Sequence, residues 1–85
     1  MQPDEIKEIL NKELSLDELM VRGENGHFEV FAVSAQFAEM SRVKRQQLIY
    51  RPLAEHIASN AIHALSIKTF TPEQWQRDRK LLMMS

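Results

Sequence analysis

The chain contains no cysteine. It can form no disulfide and can offer no thiolate to a metal, which fits a reducing cytoplasm and excludes any cluster held by its own sulfurs. Two glycines and three prolines leave no linker or low-complexity stretch. No apolar run approaches the roughly 20 residues that a membrane-spanning helix needs. The opening Met1-Gln2-Pro3-Asp4-Glu5 is polar and acidic, the reverse of a secretory signal. No Ser-His-Asp set, glycine-rich phosphate loop or HExxH motif is present, so the sequence gives no reason to expect an enzyme. An excess of one charge is also missing: 11 Lys and Arg stand against 12 Asp and Glu. Bulk electrostatics therefore do not favour nucleic acid.

What remains is a small soluble composition. Apolar residues make up 44% and charged residues 27% of 85, enough for one domain over residues 1–85, with an ordered core expected at about 4–80. The charge is uneven. Residues 1–24 carry Asp4, Glu5, Glu8, Glu13, Asp17, Glu18 and Glu24 against Lys7, Lys12 and Arg22. Residues 42–51 carry Arg42, Lys44, Arg45 and Arg51 with no acid, a local basic patch.

Pro3 fits a first helical turn, with Asp4 and Glu5 where the helix dipole favours negative charge. Ile6, Ile9, Leu10 and Leu14 then form one apolar stripe, which predicts a helix over Pro3–Glu13. The runs Leu19-Met20-Val21-Arg22 and His27–Val33 flank Gly23-Glu24-Asn25-Gly26, the signature of a β-hairpin. In the second run Phe28, Val30 and Ala32 make one face and Glu29, Phe31 and Val33 the other. Residues 41–59 have helical periodicity through Val43, Leu48, Ile49, Leu53 and Ile57. Pro52 divides them into a short basic helix and a longer apolar one. Asn60 suits a helix C-terminus. A last strand opens at His63, with Leu65, Ile67 and Thr69 on its side and Ala64, Ser66, Lys68 and Phe70 on the other. Thr71, Pro72 and Gln74 then spell a capped helix start. Trp75 falls in its first turn, an anchor back onto the sheet, and residues 77–85 are expected to fray. The order α-β-β-α-α-β-α implies an α+β fold, a three-stranded sheet covered on one face by helices.

Three histidines deserve weighing. A lone histidine beside apolar residues is more often a hydrogen-bonded structural residue than a ligand, so His63 stands open between the two. His27, just after the turn, reads as an exposed turn residue. His56 reads as solvent-facing and Tyr50 as half-buried packing. Arg42, Lys44, Arg45 and Arg51 suit either phosphate contact or, second, a solvated helix face or a surface that meets an acidic partner. The absence of interleaved aromatics favours the second.

His27-Phe28, Phe37, Ser41-Arg42-Val43-Lys44-Arg45, Ile49-Tyr50, Ile62-His63-Ala64-Leu65 and Thr71-Pro72-Glu73-Gln74-Trp75 occur in this order. Together they resemble the BolA family, most of all its short bacterial BolA-like type, over essentially the whole domain. The resemblance implies a class II KH-like fold, α-β-β-α-α-β, with an added C-terminal helix. It implies a monothiol glutaredoxin as partner and a [2Fe-2S] cluster bridged with that glutaredoxin and glutathione, none being bound by the isolated chain. His63 matches the family's strand histidine, a cluster ligand, and His27 is the candidate for a second ligand from between the first two strands. Some family members are DNA-binding transcriptional regulators acting through the helix-turn-helix region, the alternative for this chain. Two departures weaken that alternative: Arg45-Gln46-Gln47 stands where Arg-His-Arg is common, and Ala38-Glu39-Met40 lacks a glycine often found there. The KH Gly-x-x-Gly loop between helices is also missing, since Gly23 and Gly26 sit in the hairpin. A cluster of this kind needs four ligands, so a chain without thiolates can supply only imidazoles. Imidazole binds metal in its neutral form, so such a complex weakens as pH falls through the histidine range. Alone, the chain is expected to be a cytoplasmic monomer or weak homodimer with no membrane contact.

Overall fold

The computed structural model describes residues 1–83. Its elements are α1 (Pro3–Glu13), β1 (Glu18–Glu24), β2 (His27–Val33), a 3-10 turn (Ala35–Glu39), α2 (Arg42–Tyr50), a second 3-10 turn (Arg51–Leu53), α3 (Ala54–Ala58), β3 (Ala64–Phe70) and α4 (Pro72–Met83). The sheet order is β1-β2-β3, with β1 antiparallel and β3 parallel to the central strand. The α+β architecture and element order expected from the sequence are those observed.

Local chemistry explains most boundaries. Asn25 and Gly26 take φ of 55° and 80°, the pair of left-handed residues that a two-residue hairpin turn requires. Ser41 caps α2 by accepting the Lys44 N–H at 3.2 Å. At α4 the capping box closes: Thr71 Oγ1 accepts the Gln74 N–H, and Gln74 Oε1 accepts the Thr71 N–H. Asn60 ends α3 with a left-handed φ of 66°.

Some expectations need correction. Val43 and Tyr50 are exposed at 64% and 46%. The helix after Pro52 is short: its missing N–H leads α2 into a 3-10 turn, and α3 keeps five residues, none of them buried. His56 is half-buried rather than solvent-facing, its carbonyl accepting the Ile62 N–H at 3.0 Å. His63 precedes β3 instead of opening it. Residues 77–83 continue α4 instead of fraying, with Lys80 complementing the helix dipole. The rest of the expected frayed tail, residues 84–85, lies outside the described residues.

The main core lies on one sheet face. Ile6 and Leu10 of α1, Ile49 of α2, Leu53 and Ile62 close over Phe28, Val30 and Ala32 of β2, with Phe37 beside them. The helical cover is therefore concentrated on that face. The opposite face carries a smaller cluster, where Trp75 of α4 packs on Phe31 and Val33. Its ring centroid is 5.1 Å from that of Phe70 and 6.5 Å from that of Phe31. Trp75 anchors onto the sheet as expected, at the end of the sheet away from the hairpin turn.

Candidate metal-ligating site at the histidine rim

Two chain segments far apart in sequence meet at the hairpin end of the sheet. The tight turn places His27 first in β2, and the parallel register sets it opposite Ala64 at the start of β3. The Gly26 carbonyl accepts both the His63 N–H at 2.8 Å and the Ala64 N–H at 3.0 Å. This forked bond pins the backbone of His63 beside the turn. The two imidazoles end stacked, with centroids 6.4 Å apart and planes inclined by 29°. Both residues are exposed.

Gly26 sets where the His63 ring lies. A Cβ added at Gly26 would come 2.2 Å from His63 Cδ2, and its φ of 80° already disfavours a side chain. The ring thus occupies the space a side chain would take. Gly26 was not singled out from the sequence as part of the site. The Asn-Gly turn signalled it, but its neighbour across β3 depends on a non-local register.

Among the described residues, no carboxylate pairs with either ring, and no third His, Asp or Glu joins them to complete a metal-holding group. A shallow concavity of about 340 Å3 beside His27 includes Gly23, Ala64 and Ser66 in its lining. These small side chains leave the imidazoles accessible to a second molecule. The rim thus offers two exposed nitrogen donors and space next to them, and a metal bound there needs further ligands from elsewhere. That donor set suits a shared cluster and not a self-contained centre.

The remaining candidates do not converge on this rim. His56 lies on α3. Arg42, Lys44 and Arg45 belong to α2 and Arg51 follows it. At 100° per residue, Arg42 and Arg45 share one side of the helix while Lys44 and Arg51 share another. Arg45 is committed to packing: its Nε donates to the Met40 carbonyl at 3.3 Å, and its guanidinium lies 5.7 Å from the Phe37 centroid. Gln46 donates to the Ile67 carbonyl at 2.9 Å and ties α2 to β3.

Charge on the open face is also organised. Glu29 accepts from Arg22 at 3.2 Å and from Lys68 at 3.5 Å. The hydrogen bond from Arg22 leads in holding its carboxyl below the usual range, with Lys68 adding to it. The same two cations lie 5.0 and 5.3 Å from the Phe31 centroid. This network knits the three strands and leaves the histidines outside it.

Comparison with known proteins agrees with this architecture. A family model described as BolA-like protein matches residues 6–74. The chain is 54% identical over 81 residues to the acid stress protein IbaG of Escherichia coli K12, covering 95% of this chain and 96% of that one. Among solved structures, it is similar to the BolA domain of SufE1 from Arabidopsis thaliana, with 40% identity, a TM-score of 0.69, and coverage of 84% and 92%. It is also similar to BolA1 from the same plant, with 35% identity, a TM-score of 0.73, and coverage of 85% and 93%. The match runs from α1 through the histidine rim into α4, and the chain belongs to the BolA-like protein family.

Proposed function

We propose that this protein is an adaptor that pairs with a monothiol glutaredoxin and co-ligates a [2Fe-2S] cluster, acting in iron-sulfur trafficking or in iron, redox or stress regulation. The observation that carries the reading is the convergence of His27 and His63 on one exposed rim, 6.4 Å apart, in a chain with no cysteine. His63 is the principal ligand and His27 the second, while the glutaredoxin cysteine and glutathione supply thiolates. When bound, the cluster supplies one-electron redox chemistry, and imidazole in place of thiolate raises its potential.

The chain's own residues hold and present the donors. Gly26 fixes the His63 backbone through its carbonyl, and the hairpin fixes His27. Gly23, Ala64 and Ser66 keep the approach to His27 low. The acid-stress name of the E. coli relative supports a regulatory context. A role as DNA-binding regulator has weaker support, because Arg42 and Arg45 lie on a different side of α2 from Lys44 and Arg51 and Arg45 is spent on packing. No helix among the described residues is long and apolar enough to cross a membrane.

The test is to assemble the mixed complex anaerobically with a monothiol glutaredoxin and glutathione and record visible circular dichroism. His63→Ala should abolish or strongly shift the mixed-complex bands, and His27→Ala should alter them less. Bands unchanged by His63→Ala would remove the ligand assignment.

A further inference from the structure

We propose that the groove between α2 and the outer edge of β3 receives an acidic, extended segment of a partner protein, which adds to the sheet as a fourth strand. The argument starts from backbone parity. Ala64 donates its N–H towards β2 at Gly26, and the Phe70 carbonyl accepts from Ser34 on the β2 side. The even-numbered residues of β3 therefore turn their peptide groups inward, and Leu65, Ile67 and Thr69 turn theirs outward. The order β1-β2-β3 leaves this side without a neighbouring strand. A side chain already uses it: the Gln46 carboxamide donates to the Ile67 carbonyl at 2.9 Å. The Leu65 and Thr69 groups form the rest of a ladder template.

The groove beside that edge is about 700 Å3. Met40, Ile67, Phe70 and Leu81 give it apolar lining, Arg42, Arg45 and Lys68 line it with positive charge, and Asp78, the carboxylate in the lining, is paired with Arg77 at 3.3 Å. Arg45 is already held by the Met40 carbonyl and the Phe37 ring, so the free charge is that of Arg42, which among the described residues is paired with no carboxylate. Leu81, a large apolar side chain at the groove, is 74% exposed. An extended segment with alternating acidic and apolar residues matches these features together. Its backbone completes the edge, its apolar side chains fill the groove and a carboxylate meets Arg42.

Two other occupants fit less well. A second copy pairing β3 to β3 by twofold symmetry would bring two arginine rims together. A nucleic-acid backbone could accept from the outward N–H groups, but its phosphates offer no donor to the outward carbonyls of Leu65 and Thr69, which a peptide strand does. The groove lies towards the end of β3 away from His63, so this surface does not depend on the cluster reading.

The experiment uses the full chain and two synthetic peptides, one alternating glutamate with valine and one alternating lysine with valine, plus a single-stranded oligonucleotide. Backbone amide hydrogen exchange is followed residue by residue by NMR. The acidic peptide should slow exchange at Leu65, Ile67 and Thr69 and leave the β1 edge unchanged. Arg42→Glu, at an exposed position, should weaken its binding about tenfold. Thr69→Pro removes an outward N–H while sparing the ladder to β2, a change that edge strands tolerate. It should abolish binding with the rest of the spectrum preserved. Absence of protection at those three amides overturns the proposal. So does equal binding of the basic peptide, or protection by the oligonucleotide alone.

Discussion

Gly26 decides where the His63 imidazole can lie, because the ring occupies the place of the missing side chain. Gly26→Ala should therefore do two things. It should cost about 1–2 kcal/mol for the left-handed backbone, measured by urea denaturation, and it should move the His63 ring-proton resonances. A variant whose His63 resonances stay in place would show that the glycine serves the turn alone. The histidines themselves were legible in the sequence: His27 follows an Asn-Gly turn and His63 sits at the lip of an alternating strand. Their pairing was implied by the family resemblance alone, because it comes from the parallel register between β2 and β3, which no local pattern encodes. Tyr50 and His56 were misplaced for a related reason. Both flank the 3-10 turn at Pro52, and the exposure of residues beside it depends on how that turn packs, which local helical periodicity does not set.

At the scale of elements, pieces closed by neighbouring residues were readable. The Asn25-Gly26 turn, the Ser41 cap and the Thr71–Gln74 capping box each contain their own hydrogen bonds. The 3-10 turn Ala35–Glu39 was not expected, since it is held partly from a distance: Asp17 Oδ2 accepts the Ala35 N–H at 2.8 Å, and Gln36 Nε2 donates to the Ser15 carbonyl at 3.3 Å. The link across the three strands is Glu29, and its lowered pKa fixes the sign of a pH effect. A carboxylate held below its usual range stabilises the fold above that range, and the contribution fades as pH falls through the lowered value. The group is 37% exposed, so solvent screens much of the interaction. Glu29→Gln should cost well under about 1 kcal/mol at neutral pH. In urea melts the gap between the two proteins should close in acid; a constant gap would show that packing and not charge is responsible.

For the whole molecule, the two sheet faces divide the work. Among the described residues, one holds nine buried core residues from α1, β2, α2, the two 3-10 turns and the segment before β3, and the other is closed by Trp75 over Phe31 and Val33. Trp75→Ala should cost about 3–5 kcal/mol, a large share of a small domain's stability. Where the variant still folds, its histidine resonances should be unperturbed, because the rim lies at the other end of the sheet; calorimetry and NMR on one sample check both. On the proposed reading, the fold is a frame that presents two imidazoles and no thiolate to a partner. The most direct test is pulsed electron paramagnetic resonance. The chain is labelled with nitrogen-15 histidine, assembled with unlabelled monothiol glutaredoxin and glutathione, and reduced. The account predicts nitrogen-15 hyperfine couplings of metal-bound imidazole, with the His63 contribution lost in His63→Ala. A reduced mixed complex showing no nitrogen-15 coupling would contradict it.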